Sequence, residues 1–124
     1  MALQGGLSIT QSMVVSEKDT AKYHGSGNLD VFATPAMVAF MENTAVVCIE
    51  NELDEGLDTV GIQIDTKHIK ATGIGCKVSC KAQLVRIEGK GLFFEIEVWD
   101  EQDVIGNAYH VMYIIDPVKF MSRV

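Results

Sequence analysis

The sequence predicts one α+β domain in which a five-stranded antiparallel sheet wraps around a single long helix. Three observations carry this. The nineteen residues from Val31 to Ile49 contain one charged side chain, Glu42, in an otherwise largely apolar run. Everything after that run reads as strands joined largely by tight turns, the arrangement of antiparallel neighbours. The 124 residues suffice for one sizeable core but not two, so residues 1–124 form a single domain.

Leu7 to Val15 reads as a first strand, and the polar stretch EKDTAKYHGSGNLD after it is rich in turn formers. Thr34-Pro35 is a helix-start signal, a hydroxyl to cap the first turn followed by a proline whose missing N–H costs nothing there. The helix runs to about Asn51 and ends in an acidic loop containing Gly56. Val60, Ile62, Ile64, Thr66 and His68 then alternate with Gly61, Gln63, Asp65 and Lys67, a period of two with one inward face. From Cys76 the pattern repeats, with Val78, Cys80, Ala82 and Leu84 sharing its side. Glu88-Gly89-Lys90-Gly91 is a hairpin turn, followed by Leu92, Phe94, Ile96 and Val98 inward. After a turn at Asp100 to Asp103, a last strand runs from Val104 to Ile115 and stops at Asp116-Pro117. A helix apolar nearly all round is a buried one. Part of its surface, or of the sheet, is expected to meet a second copy of the chain. A transmembrane span of this length is excluded by Pro35, Glu42, Asn43 and the charged NELDEGLD that follows.

A net charge of −7 argues against a nucleic-acid partner, because phosphate neutralisation needs clustered Lys and Arg. Six of the ten basic residues (Lys67, Lys70, Lys77, Lys81, Arg86 and Lys90) nevertheless share one stretch. They form either a solvated sheet face or a local anchor for a phosphorylated ligand. Cys48, Cys76 and Cys80 have no second cluster with which to hold zinc, so no metal is expected and the thiols read as reduced. The N-terminus lacks the basic start and apolar run of a signal peptide. A cytoplasmic protein with no membrane partner is expected.

Glu42 lies eight residues past Thr34, a little over two helical turns, so the two can look toward one side. A carboxylate buried on such a helix must be paired, hydrogen-bonded or protonated; the alternative is a narrow solvated stripe at Glu42-Asn43. His68 belongs to the inward row of its strand, and a lone inward histidine is more often a core residue than a catalyst. Free backbone N–H groups at the helix start, near Ala36 and Met37, form a positive pole suited to an oxyanion. A hydroxyl, a carboxylate and an imidazole near such donors are the parts for acyl transfer or hydrolysis.

With these residues in place, the chain resembles the hot-dog-fold acyl-CoA thioesterases, specifically the group related to fluoroacetyl-CoA thioesterase. The matching segments are GSGNLDVFATPAMVAFMENTA, DTKHIKATGIG, EGKGLFFEIEVWDEQDVIGNAYH and VKF, nearly the whole chain. The resemblance implies a hot-dog fold, hydrolysis of a small acyl-CoA thioester, and a site built at a homodimer interface, with dimers able to pair further. It implies catalytic roles for Thr34, Glu42 and His68, and substrate contacts at Ala36, Met37, Thr72 and Gly75. It implies no cofactor beyond the coenzyme A of the substrate. Three departures stand out. Gly73 replaces the proline of an Ala-Thr-Pro loop, and Met112 replaces the arginine of a Gly-x-x-x-His-x-Arg strand that is otherwise present as Gly106 and His110. Asn28-Leu29-Asp30 stands where the fluoroacetyl-specialised member has an aromatic residue, so that narrow specificity is not carried over. His110 stays outside the catalytic set. The rival readings are a non-catalytic acyl-CoA-binding protein, an enoyl-thioester hydratase or dehydratase of the same fold, and a purely structural dimerisation domain.

Overall fold

The computed structural model describes residues 3–124. Five strands, β1 (Ser8–Val14), β2 (Asp58–His68), β3 (Lys77–Glu88), β4 (Gly91–Trp99) and β5 (Val104–Ile115), form one sheet in the order β1-β3-β4-β5-β2. Every pairing is antiparallel. Three helices accompany them: α1 (Ala21–His24), α2 (Thr34–Ile49) and α3 (Pro117–Met121). The short α1 lies inside the stretch expected to be turns, and α3 follows Asp116, whose carboxylate accepts from the Val118 and Lys119 N–H groups. The helix expected to reach Asn51 ends at Ile49 and tightens into a 3-10 turn at Glu50–Glu52.

The expected sheet faces are present on β3 and β4. Val78, Cys80, Ala82 and Leu84 of β3 and Leu92, Phe94, Ile96 and Val98 of β4 are buried, with Glu95 and Glu97 in solvent. Cys76 lies just before β3 and is exposed. Against these rows α2 sets Met37, Met41, Ala45 and Ile49, a stripe repeating every four residues with no exposure to solvent. Full burial of a Met or Ile side chain stabilises by roughly 1.5–3 kcal/mol, so this stripe is the main tie between helix and sheet. Thr44 is buried beside it and satisfied, donating to the Phe40 carbonyl and accepting from Gln11 Nε2. Contrary to the all-round burial expected of α2, Pro35, Ala39, Asn43 and Val46 form an exposed stripe on the single chain, and Glu42 is half-buried. The sheet covers one side of the helix only.

The inward row expected on β2 needs correction. The register between β2 and β5 slips between Gly61 and Gln63, so one residue of β2 is unpaired there. An extra residue flips the facing of everything on one side of it. Ile64, Thr66 and His68 keep the inward side, in register with His110, Ala108 and Gly106, but Gly61 takes the inward place opposite Met112. Ile62 is left 59% exposed.

Gly106 sets how closely α2 sits. A Cβ there would lie 2.6 Å from Met37 Sδ, 2.8 Å from its Cε and 3.0 Å from the Lys67 carbonyl oxygen. The thioether is flexible, but the strand carbonyl is not. Gly106→Ala is therefore expected to lower stability by about 1–3 kcal/mol, the range for overpacking, read as a lower urea midpoint with unchanged m-value.

Candidate functional site

Thr34 and His68 meet because the segment before α2 is stitched to the loop after β2. Phe32 N–H donates to the Thr72 carbonyl (2.8 Å), Ala33 N–H to the Asp19 carbonyl (2.8 Å), and Val31 bridges Gly73. The first turn of α2 is thereby held over the end of β2. The N-cap is Ala33, not Thr34, and no side chain caps the helix. Thr34 sits one position inside, and its hydroxyl is hydrogen-bonded to His68 Nδ1 at 2.8 Å. The expected capping role is thus replaced by a side-chain pair. Ala36 N–H has no intrahelical acceptor at this position, whereas Met37 N–H already donates to the Ala33 carbonyl. Of the two donors expected for an oxyanion, only Ala36 is free.

His68 is half-buried with the Phe32 ring edge-on to it, and its Nε2 is buried with no partner. Burial pushes its pKa below the ordinary 6.5, with the Lys70 backbone acting in the opposite direction. Burial thus favours the neutral ring, with one nitrogen engaged and the other without a partner. Both residues border an open cleft of about 330 Å³ lined by Ala21, Ser26, Val31, Ala33, Ile69 and Lys70 among others. That volume is at the small end of ligand sites, enough for a short acyl group and its thioester but not for a whole nucleotide-bearing thiol.

Glu42 is elsewhere on the same chain. Its carboxylate abuts Gly61, seven residues up β2 from His68, a separation on the order of 20 Å along an extended strand. A Cβ on Gly61 would stand 3.2 Å from Glu42 Oε2 and 3.2 Å from His110 Cε1, so the glycine leaves a notch for the carboxylate. Among the described residues no hydrogen bond or ion pair joins Glu42 to Thr34 or His68. One chain thus carries a hydroxyl–imidazole pair at one end of β2 and a carboxylate at the other.

Thr72 is buried, and its hydroxyl donates to Asp100 at 3.4 Å. Gly75 has φ 87°, in the left-handed region that favours glycine, and its N–H donates to the Val15 carbonyl. Both residues shape the loop behind the cleft. Lys70, one of the basic residues read as a solvated face or a phosphate anchor, is bound to Asp100 and Asp103 at 2.9 Å each. Gly61, His110 and Asp100 are the neighbours that sequence reasoning did not place at these sites. A glycine inside a strand is itself a bulge signal, and Gly61 carried it.

Asp100 is held at about 2, below its ordinary 3.8, first by the backbone N–H groups of Asp103 and Gln102 and then by Lys70. A carboxylate with a depressed folded-state pKa contributes stability that is complete above its unfolded value and is lost as pH falls through the folded value. The urea midpoint should therefore drop between about pH 4 and pH 2. Asp100→Asn should be less stable at neutral pH and lose less of its midpoint across that window.

Comparison with known proteins adds the following. Residues 15–118 match the family model described as fluoroacetyl-CoA-specific thioesterase, FlK. Over 95 residues the chain is 34% identical to the fluoroacetyl-CoA thioesterase of Streptantibioticus cattleyicolor, an alignment covering 77% of this chain and 68% of that protein. A crystal structure of a variant of the fluoroacetyl-CoA-specific thioesterase FlK superposes with a TM-score of 0.93 at 28% identity, covering 100% of this chain and 96% of the other. A second, of a variant in complex with fluoroacetate and CoA, superposes with a TM-score of 0.89 at 29% identity, covering 95% and 99%.

Proposed function

The chain belongs to the fluoroacetyl-CoA-specific thioesterase family, and from that premise we propose that it hydrolyses a short acyl-CoA thioester at a site completed by two copies of the chain. The five-stranded sheet packed against α2 is the hot-dog fold, and the protein is a thioester hydrolase of that fold. The observation that carries the mechanism is the Thr34–His68 hydrogen bond at the mouth of a cleft beside an uncapped helix start. With the Thr34 hydroxyl donating to Nδ1, the proton of neutral His68 sits on Nε2, which has no partner in the protein. That N–H, together with Ala36 N–H, is suited to polarise a thioester carbonyl, and the proton that Glu42 takes from water can pass to the departing thiolate. Glu42 supplies the remaining part, either attacking the carbonyl or taking a proton from water. The balance is thioester plus water to carboxylic acid plus thiol.

Support for two chains comes from β2. It is an edge strand with one side unpaired among the described residues. Two copies of β2 pairing antiparallel about a two-fold axis bring the His68 end of one beside the Gly61 end of the other. Each Thr34–His68 pair then faces the Glu42 of its partner. The exposed stripe Pro35, Ala39, Asn43 and Val46 lies on the same helix as both halves. The cleft is too small for a whole CoA, so its nucleotide portion would lie outside it; that a variant of a relative was crystallised with fluoroacetate and CoA supports CoA as the thiol carrier. Free Cys48, Cys76 and Cys80 suit a reducing, cytoplasmic setting. No helix of the described residues is long and apolar enough to cross a membrane.

Glu42→Gln should lower thiol release from acyl-CoA by about 10²–10⁴-fold with the fold intact by circular dichroism; unchanged turnover would sink the assignment. Mixing Glu42→Gln with His68→Ala protein, each reduced to residual activity alone, should restore about a quarter of wild-type activity, because half of the randomly formed dimers carry one intact composite site. No restoration would refute the two-chain site. Because burial lowers the pKa of His68, its neutral form persists below the ordinary value. The acid limb of kcat/KM assigned to His68 by its loss in His68→Ala residual activity should therefore fall below pH 6.5, read from a pH–rate profile.

A further inference from the structure

His110 is absent from the proposed catalytic set, yet its ring shares the Gly61 notch with the Glu42 carboxylate. It is only 2% exposed, and Nδ1 lies 2.9 Å from the Gln63 carbonyl oxygen. A carbonyl only accepts, so Nδ1 carries a hydrogen and donates. The ring is thereby pinned across the β2 bulge by the residue just past it, and Phe94 tilts against its face at 6.1 Å between centroids. In the neutral ring this leaves Nε2 with a lone pair. The Cε1–Nε2 edge faces the notch, with Cε1 at 3.2 Å and Nε2 at 3.8 Å from where a Gly61 Cβ would stand, and Glu42 Oε2 at 3.2 Å from the same point. Met112, paired with Gly61, is buried and brings no charge. Among the described residues no direct hydrogen bond or ion pair joins the two, and one water donating to both would link the lone pair to the carboxylate across the notch.

We propose that His110 is a positioning residue for Glu42, holding the carboxylate in its reactive orientation through the Cε1–Nε2 edge of a ring locked by the Gln63 carbonyl. This rests on the catalytic role proposed for Glu42. It assigns a function to the β2 bulge as well, because the bulge both puts a glycine opposite the carboxylate and supplies the carbonyl that locks the ring.

The test is a set of variants assayed for thiol release, with CoA affinity measured in parallel. Asparagine keeps a donor near the Nδ1 position for the Gln63 carbonyl but has nothing at Nε2, whereas glutamine places an amide near Nε2. His110→Asn should lower kcat about 10²-fold, the scale expected for a misplaced reacting group, with KM and CoA affinity within about twofold. His110→Gln should recover at least about tenfold of that loss. In a Glu42→Gln background, His110→Asn should add less than about twofold, since the two changes act on one group. Wild-type kcat in His110→Asn, equal loss in both variants, or an undiminished effect in the Glu42→Gln background would each overturn the proposal. Should the His110 variants not fold, Gly61→Ala leaves both side chains in place and puts a methyl between them. It should reproduce the kcat loss, and an unchanged kcat would overturn the proposal. Full activity in Glu42→Gln itself would instead refute the catalytic reading of Glu42, so the two failures are separable.

Discussion

Met37 packs against the bare backbone of Gly106 closely enough that a single methyl on the strand would collide with it. That contact, continued by Met41, Ala45 and Ile49 at intervals of one helical turn, fixes both the height and the rotation of α2 on the sheet. The side chains proposed to react depend on it together. Thr34 reaches His68 from the first turn of the helix, and Glu42 reaches Gly61 two turns on, because both start from the same packed spine. Two long side chains on separate loops would lose rotamer entropy independently; here the helix fixes one partner in each pair, and β2 fixes the other.

The bulge in β2 is the second constraint. A regular strand carrying inward His68 would also carry inward Ile62 and Val60, filling the space where the Glu42 carboxylate now sits. One unpaired residue changes the parity of the strand between its His68 end and its Gly61 end. His68 stays inward, Ile62 turns to solvent at 59% exposure, and a residue with no side chain faces the helix. The polar groups at the ends of β2 are thus reconciled with an apolar middle.

The fold class, the strand rows of β3 and β4 and the start of α2 were legible from periodicity and turn residues, because burial on one face leaves a period-two signal. The hydroxyl, carboxylate and imidazole were legible as residue types that are unexpected in their surroundings. Their distribution in space was not. Eight residues of helix and seven of strand look similar in a sequence, but the strand advances more than twice as far per residue, so Glu42 and His68 part company. Alternation also carries no mark of a register slip except the glycine beside it, and that glycine was read as one more outward position. Thr34 was expected as a cap because Thr-Pro is a capping pattern, but the cap falls one residue earlier, at an alanine. What decides this is a tertiary bond from Ala33 to Asp19, beyond the reach of local preference.

The unpaired outer side of β2 has a consequence for how the chain survives its own synthesis. A free edge eleven residues long, with Ile62 projecting into water, is a template that any extended segment can extend. In the dimer proposed above, an identical β2 covers this edge, and any other extended segment that arrives first keeps the two half-sites apart. On that proposal, expression level and temperature would govern recovery of active material through the kinetics of encounter, and a variant that slows the pairing would be lost to aggregation before any defect in the folded domain was seen.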